Sequence, residues 1–201
     1  MATTLQVPRP GLRAPGRERL RTIVVMLIVG AALIGATALL DQAGAGGFTK
    51  VELSGDTSGP RPVVGAVPPG FIAETVFGER INLGDLRGKP VWLTFGASWC
   101  ADCRAESPDI QATYERYAPA GLALVSIWID ETDADVRAYA DRIGLTFTMI
   151  SDPTTALASR YRILGLPTHF FIAPDGVISE IRLGGLTPDM MDSLVRSIMP
   201  S

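Results

Sequence analysis

Phe95-Gly-Ala-Ser-Trp-Cys-Ala-Asp-Cys-Arg104 is the stretch on which the reading of the fold turns. Val91–Phe95 (VWLTF) leads into it after a Gly-Lys-Pro turn, a short apolar run of the kind that forms a buried strand. A helical stretch follows it to about Tyr117. The two cysteines therefore stand where a strand hands over to a helix. Unpaired N–H groups and the positive end of the helix dipole favour a thiolate there. This places Cys100 at the helix N-terminus as the attacking sulfur, and Cys103 one turn later, less exposed, as the sulfur that resolves a mixed disulfide. Trp99 shields one side of the first sulfur and offers an apolar contact surface.

The chain has only these two cysteines. A bridge between residues so close removes little entropy from the unfolded chain, so a purely structural disulfide is a weak reading. Half of a zinc site has the same spacing, but there is no second CxxC and only one histidine, His169. The pair reads as a redox-active disulfide, Cys100–Cys103, that stands in place of a bound cofactor.

Outward from the cysteines, strands alternate with helices. Phe71–Thr75 and Arg80–Leu83 flank a turn and predict a hairpin, and Leu122–Ile129 and Thr146–Ile150 predict further strands. Thr132 caps a helix that ends before Gly144, and Thr155–Tyr161 forms a short one. Thr168–Ile172 and Val177–Leu183 form a second hairpin around Pro174-Asp-Gly176, and Thr187-Pro188 opens a last helix. This order predicts an α/β sandwich with a mixed central sheet.

The N-terminus has a different character. Of 18 basic and 21 acidic residues, five arginines and Glu18 precede Thr22, and the remainder carries 13 basic against 20 acidic residues. Such a remainder is no match for nucleic acid. Residues 23–40 contain no charge and would span about 27 Å as a helix, close to a bilayer's hydrocarbon thickness. The arginines before it predict a cytoplasmic basic N-terminus (1–22), a transmembrane signal-anchor (23–40), a Gly/Pro-rich flexible linker (41–63) and a domain (64–201) outside the cytoplasm. A second reading is a signal peptide cleaved near Ala43-Gly44-Ala45, which leaves the domain secreted.

TFGASWCADC, with Ile163-Leu-Gly-Leu-Pro-Thr168 and Phe170-Phe-Ile-Ala-Pro-Asp-Gly176, resembles the thioredoxin superfamily. Within it, the membrane-tethered TlpA/ResA-like branch, related to the AhpC/TSA proteins, is most similar, over roughly residues 64–200. The resemblance implies a thioredoxin-like three-layer sandwich with an N-terminal hairpin and a central α/β insertion. It also implies an enzyme that exchanges its dithiol with protein disulfides. A reducing direction fed by a membrane dithiol donor, for example in cytochrome c maturation, is the expectation. Pro167 matches the family's cis-proline, which turns the Leu166 backbone toward an extended substrate. Glu106 matches a glutamate beneath the dithiol that can take and return a proton, and Pro108 is expected to kink the helix.

This chain also departs from the pattern. Thr94 stands where thioredoxins carry a buried aspartate, so Glu106 is expected to be the only acid beneath the dithiol. Gly96 replaces a frequent tryptophan and opens one wall. Asp102 between the sulfurs disfavours a thiolate while Arg104 favours one, so the two charges oppose each other in setting the redox potential. His169 reads as a packed or surface residue rather than part of the groove, and Phe170, Phe171, Trp92 and Trp128 read as core. Two other functions stay open. A copper-binding module would use Cys100, Cys103 and His169. A thiol peroxidase would need a Pro-x-x-x-Thr/Ser-x-x-Cys loop that these residues do not supply.

Overall fold

Strand and helix propensities assemble as the alternation predicts. The computed structural model describes residues 21–32, 35, 52–53 and 61–200. Two units separate, residues 1–45 and 46–201. In the first, residues 21–32 are helical, and Ile23 to Val29 are exposed. Among the described residues no helix is long and apolar enough to cross a membrane. Most of the second half of the expected span 23–40 lies outside the described residues.

The described residues of the second unit form two sheets. Strand β1 (Glu52–Leu53) pairs antiparallel with β2 (Phe71–Glu74), which pairs with β3 (Arg80–Asn82). The expected hairpin thus gains a third strand from within the linker. The main sheet has five strands: β4 (Val91–Gly96), β5 (Ala123–Ile129), β6 (Thr148–Asp152), β7 (Thr168–Ile172) and β8 (Ile178–Leu183). Their order is β6-β5-β4-β7-β8, with β4, β5 and β6 parallel and β7 and β8 antiparallel. Four helices cover it: α1 (Ala101–Tyr117), α2 (Asp133–Ile143), α3 (Ala156–Arg160) and α4 (Pro188–Ile198). Helix α2 and β6 fill the place of the expected central insertion.

Side chains alternate faces along a strand, so each strand contributes to two cores. Trp92, Leu124, Trp128, Met149 and Phe171 pack with α1, α2 and α4 through Ile110, Val136, Tyr139, Met191 and Val195. Val91, Leu93, Phe95, Val125, Ile127, Ile150 and Phe170 pack on the other face with Phe71, Leu157 and Tyr161. Each such side chain contributes about 1.5–3 kcal/mol when fully buried. A one-residue slip of β4 would exchange the two sets, which pins its register. With both faces covered, the central strands read as nearly continuous apolar runs.

Caps end the helices where expected. Thr132 and Asp135 form a reciprocal capping box on α2, and Gly144 closes it in the left-handed conformation at φ 76°. Thr187 accepts from the Met190 N–H at the start of α4. Thr155 differs: it has φ 56° and makes no side-chain cap, and the buried Asp152 carboxylate accepts from the Leu157 and Ala158 N–H groups instead. Helix α1 runs on through Pro108 to Tyr117.

Candidate active site

Cys100 is the N-cap of α1, with extended backbone, and its Sγ accepts from the Cys103 N–H at 3.2 Å. Strand β4 ends at Gly96, a tight turn closes through Cys100 N–H to Ala97 O at 3.1 Å, and the helix begins at Ala101. The sulfur is thus fixed against the orphan N–H groups of the first turn. Cys100 and Cys103 form a disulfide with Cα atoms 5.3 Å apart. Cys100 is half-buried and Cys103 is buried.

The segment that carries Cys100 is held on both sides. Ser98 donates its N–H to Glu131 Oε2 at 2.8 Å, and its hydroxyl donates to Oε1. Its carbonyl accepts from Arg104 at 3.0 Å. Glu131 lies just beyond the carboxyl end of β5 and is almost fully buried. Burial pushes its carboxyl above the ordinary range, against the Ser98 hydrogen bonds, which pull it down.

Outside the sulfur, the surface is apolar. Trp99 is 58% exposed and Leu164 75% exposed. Both line a groove of about 530 Å³ with Ile129, Ile163 and Leu166. The Leu166–Pro167 peptide bond is cis. Thr168 pairs with Phe95, so Pro167 falls level with Gly96, which sits below Cys103. A Cβ placed on Gly96 would lie 3.6 Å from Cys103 Sγ. The expected residues Trp99, Cys100, Cys103, Leu166 and Pro167 therefore gather at one end of the sheet.

Beneath Cys103, buried polar side chains stand among apolar ones, Ile110, Trp128 and Phe147. Register places Ser126, Thr94 and His169 in one row across β5, β4 and β7. All three are buried. A cavity of about 20 Å³ is lined by Cys103, Glu106, Ser107, Thr94, Gly96 and Ser126 among others, room for one water. Glu106 is its only acid and is 5% exposed. Its Oε2 accepts from the Leu186 N–H at 3.0 Å, and its Oε1 lies 3.4 Å from His169 Nε2.

Two residues of this site were not foreseen in their roles. His169 is packed, as expected, but against Glu106 rather than in bland core. Glu131 carried one available signal, an acid just past the carboxyl end of a central strand, where α/β sheets place their sites. Among the described residues no cluster of three His, Cys, Asp or Glu is placed to hold a metal. The His169 nitrogens face Trp92, Thr94 and Glu106. A separate apolar cavity of about 220 Å³ lies at the other end of the sheet, by Val91, Ile172 and Leu83.

Such a fold, with one dithiol sulfur at a helix N-cap and the other buried over a carboxylate, defines a thioredoxin-like thiol-disulfide oxidoreductase. Residues 64–181 match the AhpC/TSA family, and the chain belongs to that family. It is 37% identical over 141 residues to "Thiol-disulfide oxidoreductase ResA" of Oceanobacillus iheyensis, covering 68% of this chain and 73% of that protein. A protein of the same name from Bacillus thuringiensis subsp. konkukian is 32% identical over 181 residues, covering 90% of this chain and 95% of that one. The crystal structure of a thiol:disulfide interchange protein from Chlorobium tepidum superposes with a TM-score of 0.61 at 26% identity. It covers 70% of this chain and 99% of that one.

Proposed function

We propose that the enzyme reduces protein disulfides outside the cytoplasm while residues 23–40 hold it in a bacterial cytoplasmic membrane. The observation that carries the reading is the asymmetry of the pair: a half-buried Cys100 Sγ at the helix N-cap, beside exposed Trp99 and Leu164, over a buried Cys103. The Cys100 thiolate attacks one sulfur of the substrate disulfide, forming a mixed disulfide and releasing the other substrate sulfur as a thiolate. Glu106 accepts the Cys103 proton, through a water in the small cavity that both residues line. The Cys103 thiolate then attacks Cys100 Sγ, the Cys100–Cys103 bond forms, and the second substrate thiolate leaves. Both released thiolates take up protons, and two electrons pass from the dithiol to the substrate. A membrane dithiol donor restores the reduced pair.

An extended substrate would lie along the groove and pair with the Leu166 backbone, beside Pro167. The arginines before residue 23 support a cytoplasmic N-terminus. The resemblance to the TlpA/ResA-like branch supports a role such as disulfide reduction in cytochrome c maturation. The test is trapping in cells. Cys103→Ser is expected to accumulate mixed disulfides visible on non-reducing gels, and Cys100→Ser/Cys103→Ser to accumulate none. Absence of adducts from the single variant would contradict the assigned roles. Protease added to intact spheroplasts is expected to digest the domain, and protection would contradict its orientation.

A further inference from the structure

His169 is the only histidine of the chain and is fully buried. Its ring stands between two sets of partners. Trp92 Nε1 donates to Nδ1 at 3.3 Å, and Thr94 Oγ1 lies 3.0 Å from the same atom. An indole N–H can only donate, so Nδ1 must be the acceptor and carry no proton. The proton then sits on Nε2. Among the described residues Nε2 has no hydrogen-bond partner within ordinary limits, and Glu106 Oε1 is 3.4 Å away. Reorientation of the carboxylate toward Nε2 would close that contact, as happens when resting sites tighten during reaction.

We propose that His169 is a positioning residue for thiol exchange: Trp92 locks it as the neutral Nε2–H tautomer, and it holds the Glu106 carboxylate toward Cys103 as the proton acceptor. The proposal rests on the reading of Glu106 as that acceptor. Glu106 Oε2 takes one donor from the Leu186 N–H, and His169 Nε2 stands 3.4 Å from Oε1, placed to become a second donor without a counter-charge. A cationic partner would hold the carboxylate in a strong ion pair and weaken it as a base, whereas a neutral donor orients it and leaves it free to take a proton. The remaining groups around Glu106 are Asp102 and Asp109 along the outer groove, Cys103 and Ser107 on its own helix, Thr94 on β4 and Ser126 on β5. None of these is a cation.

The single histidine makes a direct test possible. Nitrogen NMR of the ¹⁵N-labelled, full-length reduced protein is expected to show His169 as one neutral tautomer, with Nε2 protonated and Nδ1 bare, at pH 7. An Nδ1–H tautomer, an averaged pair or an imidazolium would overturn the proposal. The kinetic arm follows release of a preformed mixed disulfide on Cys100 against pH. His169→Leu is expected to slow release about tenfold or more, the weight of one hydrogen bond to a charged group. It should also change the pH profile of release. His169→Gln, whose amide can accept from Trp92 and donate to Glu106, is expected to restore most of the rate. In a Glu106→Gln background, His169→Leu is expected to add nothing further. An unchanged profile in His169→Leu, or the same loss in both backgrounds, overturns the positioning role. If Glu106→Gln alone leaves the profile unchanged, the acceptor reading itself fails, and this proposal with it.

Discussion

Cys100 and Cys103 share a bond and one turn of α1, yet they face different media. Around Cys100 lie backbone N–H groups, exposed Trp99 and Leu164, and a groove open to solvent. Around Cys103 lie a small cavity with room for one water, the buried Glu106 and, on the strands beneath, a polar row of Ser126, Thr94 and His169. The outer side favours a charged sulfur through helix geometry and gives a protein partner an apolar surface. The inner side gives a sulfur a place to lose a proton away from bulk water. In the proposed mechanism, one bond therefore joins a sulfur that attacks and a sulfur that is deprotonated on demand.

The largest effect on this contrast is expected from the inner side. Glu106→Gln removes the proposed proton acceptor while keeping its shape. It should slow the resolving step by about 10²-fold, the low end of general-base effects, with little change in the initial attack by Cys100. Stopped-flow measurement of the two steps separately checks it. Equal slowing of both steps would erase the contrast.

Next comes the clamp on the outer loop. Glu131→Ala leaves the Ser98 N–H without its partner and should cost about 1–3 kcal/mol in urea unfolding. Glu131 also carries a pH signature. Its carboxyl is pushed up from 4.5 by burial, so between 4.5 and the raised value the native state holds a proton that the unfolded chain has released. Stability from this group therefore falls as pH rises through that window. Glu131→Gln should gain on the parent protein as pH rises from 4.5 and then hold a constant difference above the window. A difference that does not change with pH would remove Glu131 from the account.

The smallest effect is expected at Trp99. Its ring is mostly exposed, so Trp99→Ala should change stability by less than about 0.5 kcal/mol. Its loss should still raise KM for a protein disulfide, at a cost of about 1–2 kcal/mol in partner contact, and leave exchange with a small thiol unchanged. An equal effect on both substrates would mean that the groove takes no part in recognition.

Much of this site is legible in the primary structure, because its signals are local. The strand VWLTF, the CxxC behind it and Leu-Pro-Thr168 each carry their meaning within a few residues. The fold follows from apolar runs and caps such as Thr132 with Gly144. Strand β1 was not legible, since two residues in a Gly/Pro-rich segment carry no period. The polar row was half legible. Alternation puts Thr94 on the face of Trp92, and Ser126 between Leu124 and Trp128. Only the antiparallel register of β7 on β4 brings His169 beside Thr94, and that pairing spans 75 residues. Glu131 depended likewise on a contact with Ser98 across 33 residues.

Site-resolved alkylation of the reduced protein tests the asymmetry most directly. Brief exposure to iodoacetamide at pH 7, followed by peptide mass spectrometry, should find Cys100 modified well before Cys103, with Cys103 protected until the protein unfolds. Equal labelling of the two, or labelling of Cys103 first, would contradict the division of labour between an exposed attacking sulfur and a buried resolving one.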